Sequence, residues 1–157
     1  MTLDNQHAHR IKAARENCKF SVDETAAYIG LNISSYYDLE IVEGEIFNAV
    51  SLNAIIQLCS RLKISPTELF TGKSSAPEEK MSKTTLSQVA SSISNYLLSE
   101  KISLEKLEKK VGWELKNILQ NPNSALTDWC LDTLRDVCKP IGIEWLTVLE
   151  TQFRCDY

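Results

Sequence analysis

Residues 21–40 read SVDETAAYIGLNISSYYDLE, and this stretch constrains the chain more than any other. Ser21 can cap a helix, and Glu24 three residues later completes a capping box. Ala26, Ala27 and Ile29 supply that helix with a small apolar inner face. Gly30 stands where the helix must stop and the chain must turn, which glycine does without steric cost. Leu31 is an apolar plug, and Asn32 can cap the next helix. Tyr36 and Leu39, with Ile33, then recur at the three-to-four spacing of a buried helical face. The expectation is a helix, a tight turn and a second helix.

The flanks extend the pattern. RIKAAR (Arg10–Arg15) predicts a preceding helix. LNAIIQLCSRLKISPTELF (Leu52–Phe70) predicts helix, turn, helix, with Leu52, Ile55, Ile56, Cys59 and Leu62 on one face and Pro66 in a first turn behind the cap Ser65. Gly in the turn, paired alanines before it and apolar residues at fixed offsets make a helix-turn-helix. Over roughly residues 8–70 the chain resembles the lambda-repressor-like (Cro-type, xenobiotic-response-element) helix-turn-helix family. The resemblance implies a structural ion pair between Arg15 and Glu40, and a small buried residue where Cys59 stands.

The second half echoes the first. SLEKLEKKVGW (Ser103–Trp113) aligns with SVDETAAYIGL (Ser21–Leu31), so that Ser21 matches Ser103 and Gly30 matches Gly112 at an offset of 82. VCKPIGI aligns with LCSRLKI, so that Cys59 matches Cys138 and Ile64 matches Ile143 at an offset of 79. A shorter loop around NPNSAL accounts for the difference of three. Pro122 replaces Glu40 and Leu97 replaces Arg15, so the second copy is degenerate. The expected fold is all-α, two tandem lambda-repressor-like helix-turn-helix domains of about five helices each. They span residues 1–70 and 84–157, joined by a Gly-, Ser-, Pro- and charge-rich linker at 71–83.

Hydrophobic residues make up 43% of the chain, enough for a globular core, and no apolar run reaches membrane-spanning length. The N-terminal residues lack the apolar heart of a signal peptide, so the expected location is cytoplasmic. Five scattered cysteines (18, 59, 130, 138 and 155) contain no CxxC pair and read as reduced thiols. His7 and His9 have no further ligand cluster near them, and are expected to be solvent-exposed rather than to hold a metal. There is no Gly-rich phosphate loop and no nucleophile–base arrangement, so neither catalysis nor a cofactor is expected.

The net charge of −4 makes the position of the charges decisive. The resemblance puts Asn32, Ile33, Ser34, Tyr37 and Asp38 at the positions from which such proteins read DNA. Val22 stands where the family commonly has a phosphate-anchoring Gln. From Phe20 to Ser60 there is no Lys or Arg, while Asp23, Glu24, Asp38, Glu40, Glu43 and Glu45 are acidic. A docking face without cations forfeits phosphate neutralisation and adds repulsion. Such an acidic run is either a solvated face or, bunched with Tyr37 and Phe47, a protein-binding patch of Asp38, Glu43, Glu45, Tyr37 and Phe47. In the second copy Lys106, Lys109, Lys110, Lys116, Asn117, Gln120 and Asn121 offer more to DNA.

Two functions are consistent with these residues. The first is a non-catalytic protein-binding module, an immunity- or antitoxin-type inhibitor of a basic toxin nuclease whose cationic cleft an acidic protein would cover. The second, which the resemblance implies, is a sequence-specific transcriptional regulator bound to double-stranded DNA, possible as a homodimer on paired half-sites.

Overall fold

The caps expected between residues 21 and 40 are where the local chemistry puts them. In the computed structural model, which describes residues 3, 5–77, 80 and 82–155, Ser21 Oγ accepts the Glu24 N–H at 3.1 Å. The Glu24 carboxylate in turn accepts the Ser21 N–H at 2.8 Å, closing the capping box. Glu24 is thereby held below the usual carboxylate range, first by the Ser21 backbone N–H and then by its hydroxyl. Residues 1, 2 and 4 of the expected N-terminal segment, and 78, 79 and 81 of the expected linker, lie outside the described residues.

Among the described residues the chain is all-α, with eleven α-helices. The first half comprises α1 (His7–Asn17), α2 (Val22–Tyr28), α3 (Ile33–Ile41), a 3-10 turn (Glu45–Phe47), α4 (Leu52–Leu62) and α5 (Pro66–Thr71). The second half comprises α6 (Leu86–Glu100), α7 (Leu104–Val111), α8 (Lys116–Gln120), a 3-10 turn (Pro122–Ser124), α9 (Ala125–Asp128), α10 (Leu131–Cys138) and α11 (Trp145–Cys155). No helix among them is long and apolar enough to cross a membrane.

Residues at the two offsets do the same local work in both halves. Ser103 Oγ accepts the Lys106 N–H at 3.2 Å and caps α7, as Ser21 caps α2. The turns after α2 and α7 are both left-handed, with φ +72° at Gly30 and +82° at Gly112, where a side chain would be strained. Cys59 and Cys138 are both buried in the core.

The halves share one hydrophobic core, which runs from Ile11 of α1 to Leu149 of α11. Their junction is reciprocal. Ser51 and Cys130, equivalent at an offset of 79, pair with each other in an isolated antiparallel bridge, and the Leu52 N–H donates to the Trp129 carbonyl at 2.9 Å. The Glu45–Phe47 turn packs on α10 while α9 packs on α4. Equivalent segments thus exchange places across Ser51 and Cys130, as at a two-fold interface between subunits. Helix α11 adds a second junction by packing on α4 and α5.

A buried carboxylate holds that second junction. Glu150, 1% exposed, accepts the Thr67 N–H and the Thr67 hydroxyl, each at 3.0 Å, in the first turn of α5. Its other oxygen accepts from Ser75 Oγ at 3.0 Å and Arg154 Nε at 3.1 Å. Arg154 also donates to the Ala76 carbonyl, so residues 75 and 76 of the expected linker are bonded to α11.

Candidate functional site

Helix α3 is oriented by the residues it buries. Tyr36, Leu39 and Glu40 point inward, and Asn32 caps the N-terminus by accepting the Ser35 N–H at 2.8 Å. Glu40 is almost wholly buried and takes a two-pronged grip from Arg15 of α1: Nε to Oε1 at 2.6 Å and Nη2 to Oε2 at 2.9 Å. The hydrogen bonds that Arg15 donates to Glu40 raise the guanidinium above its usual range against the opposing effect of burial. The Arg15 fork also donates to the Phe20 carbonyl at 3.0 Å, which ties the entry to α2 into the same network. This is the geometry in which a guanidinium and a carboxylate satisfy each other best.

With those three residues inside, helical period turns Tyr37 and Ile41 outward, and Ile33 joins them at the start of the helix. Ile33, Tyr37 and Ile41 fall at i, i+4 and i+8 and are 52%, 51% and 53% exposed. Ile33 therefore does not share the burial of Tyr36 and Leu39, although at 100° per residue it lies only about 60° from Tyr36; its exposure comes from how the start of the helix is packed and not from helical period. Ala27 is likewise exposed, while Thr25, Ala26 and Ile29 form the buried inner face of that part of the chain. Ser34 is exposed and Asp38 half-buried beside the stripe. Val42, just beyond the helix, is 44% exposed. Among the described residues, the exposed large hydrophobics of the second half are Leu98, more exposed than the stripe, and Trp113, less exposed.

Phe47 is not part of that surface. The Glu45–Phe47 turn sends Ile46 and Phe47 into the core, where the Phe47 ring lies 5.7 Å from Phe70 and 5.2 Å edge-on from His7. Arg135 of α10 covers it at 4.7 Å. His7 also departs from the expected solvent exposure: it is 3% exposed. Its Nε2 accepts the Gly44 N–H at 2.9 Å and lies 3.0 Å from Glu43 Oε2, which also accepts the Ala8 N–H at 3.3 Å. The loop after α3 is thus fastened to the start of α1. Glu43 faces partly inward, and Glu45 is half-buried.

Of the expected patch, Tyr37 and Asp38 remain on α3 and Glu43 and Glu45 just beyond its C-terminal end, with Ile41 and Val42 joining them there and Ile33 at the start of the helix. Ile41 and Val42 become legible only once Tyr36, Leu39 and Glu40 are assigned inward. Of the positions expected to read DNA, Asn32 already uses its side-chain oxygen as a cap. Ile33, Tyr37 and Ile41 present hydrocarbon and one phenol, and Asp38 presents an anion. Arg61 has its guanidinium stacked over Phe20, 3.7 Å from the ring centre, and 5.0 Å from Tyr28. Asn32→Ala should lower unfolding stability by about 1 kcal/mol through loss of the cap. Urea denaturation measures it, and an unchanged midpoint would show that α3 does not depend on its cap.

The second half of the chain has a different surface. Its lysines at 106, 109, 110 and 116 are exposed, yet Lys109 lies 3.7 Å from Glu105 and Lys110 donates to Tyr96 Oη at 3.0 Å. Helix α8 is five residues long and ends before Pro122. Burial raises the thiols of Cys59 and Cys138, the latter to about 12, which keeps both protonated at neutral pH. No group of three or more His, Cys, Asp or Glu among the described residues is placed to hold a metal ion.

Comparison of the chain with family models, curated proteins and solved structures found no match.

Proposed function

We propose that this chain is a non-catalytic, acidic protein-binding module built from two tandem lambda-repressor-like helix-turn-helix units. Its role in this reading is that of an immunity- or antitoxin-type inhibitor, acting in the cytoplasm on a basic toxin nuclease. The observation that carries the reading is the outward side of α3. Ile33, Tyr37 and Ile41 are half-exposed there, Asp38, Glu43 and Glu45 adjoin them, and no Lys or Arg occurs between residues 20 and 60. An apolar strip on a protein surface marks an interaction site. Its acidic border repels phosphate and attracts a cationic protein surface, which raises the association rate.

The experiment is capture of partners on the full chain at low salt, with and without nuclease treatment, followed by assay of the captured protein. A basic protein that survives nuclease treatment, and whose nucleic-acid cleavage the chain blocks, is the expected result. Asp38→Lys with Glu45→Lys should then weaken capture by about tenfold or more, since close charge pairs across an interface contribute more than about 1.5 kcal/mol each. Glu43 is left in place because its carboxylate accepts the Ala8 N–H at the start of α1. Capture of DNA fragments sharing a palindrome, strengthened by the double reversal, would instead make the chain a transcriptional regulator.

A further inference from the structure

The shape of the strip says what kind of element sits on it. We infer that α3 docks a basic amphipathic helix of the partner protein, laid along the Ile33–Tyr37–Ile41 stripe; this rests on the protein-binding reading above. Residues four apart on a helix form a ridge, and a ridge is filled most completely by the groove of a second helix. The nine residues of α3 make a ridge about 13 Å long, which matches two to three turns of a partner helix.

Other occupants fit less well. An extended peptide needs an open strand edge to pair with, and α3 uses its backbone groups within the helix, down to the Val42 N–H that donates to Asp38 O at 2.8 Å. A nucleic acid would meet acids and hydrocarbon. A second copy of this chain would set Asp38, Glu43 and Glu45 against the same three acids, a like-charge contact at the edge of a small apolar strip. A helix with leucine-like residues on one side and Lys or Arg beside them satisfies both the stripe and its border. The C-terminal end of α3, where Glu43 and Glu45 lie, adds the negative end of the helix dipole on that side.

The test uses two synthetic probes of identical Leu/Lys/Ala composition, roughly 16 residues long so that a helix can form. One spaces its leucines at three and four, the other at two. Each is titrated into the full chain, with binding read by fluorescence anisotropy, peptide helicity by circular dichroism and the contact surface by amide shifts. The helical pattern is expected to bind at least about tenfold tighter, to become helical on binding, and to shift amides at residues 33–42. Ile33→Ser with Tyr37→Ser should remove about tenfold of that affinity while leaving the melting curve unchanged, because both side chains lie half outside the core. Equal binding of the two probes on the α3 face would overturn helical docking and leave the acidic protein-binding reading standing. No shift at residues 33–42 with either probe would overturn both. Concentration-dependent self-association abolished by the Ile33/Tyr37 double substitution would overturn the inference in favour of a second copy.

Discussion

Glu40→Ala is expected to lower unfolding stability by about 3–5 kcal/mol, the effect of leaving one member of a buried ion pair without its partner. Arg15 is 11% exposed at its side chain and Glu40 1%, so water replaces little of what is lost. With the carboxylate gone, the Arg15 fork keeps the Phe20 carbonyl and a 3.9 Å approach to the exposed Glu16. Replacing both partners by apolar residues, Arg15→Met with Glu40→Leu, should recover most of the loss, because no charge is then stranded. Chemical denaturation of the four proteins of this double-mutant cycle gives the coupling directly. A cost below about 1 kcal/mol for Glu40→Ala would place the pair with weak, solvated surface pairs. The same cycle bears on function. Arg15 and Glu40 clamp α1 to α3, so the single substitution should also blur the outward stripe and weaken partner binding beyond what the stability loss explains.

Glu150→Ala is expected to cost about 2–4 kcal/mol and to act at the junction of the halves rather than within one of them. The carboxylate satisfies the Thr67 N–H at the start of α5, where an anion is also favoured by the helix dipole. Ser75 and Arg154 each lose one hydrogen-bond acceptor in the same step. Amide hydrogen exchange should therefore show residues 65–76 and α11 losing protection ahead of α2 and α3. Glu150→Gln, which keeps an acceptor and drops the charge, should lie between wild type and Ala. Unchanged exchange at residues 65–76 would mean that the apolar contacts of α11 alone hold the halves together.

The legible part of this protein is the part written within four residues. Ser21, Asn32, Ser65 and Ser103 each accept the N–H three positions on, and a short polar side chain before an apolar run carries that information by itself. Gly30 and Gly112 end their helices with left-handed backbone for the same local reason. The offsets of 82 and 79 were equally legible, because equivalent turns need equivalent residues. His7 and Phe47 were misplaced because their surroundings come from elsewhere in the chain. His7 meets Gly44 and Glu43, 37 and 36 positions away, and Phe47 meets Phe70 and Arg135. Nothing adjacent to either residue states that.

What the sequence determined by itself is therefore the five helices of the first half, the caps at Ser21, Asn32 and Ser65, the turns at Gly30 and Gly112, the inward Tyr36 and Leu39, and the absence of any cation from Phe20 to Ser60. Helical period and hydrogen-bond reach act over a turn or two, so they need no knowledge of the fold. The tertiary structure alone decided that Ile33 lies outside with Tyr37 and Ile41, that the loop after α3 is tied down through His7, and that equivalent segments of the two halves exchange across Ser51 and Cys130. Those outcomes depend on which side of each helix meets another helix, and that is settled by the shared apolar core, which no single segment encodes.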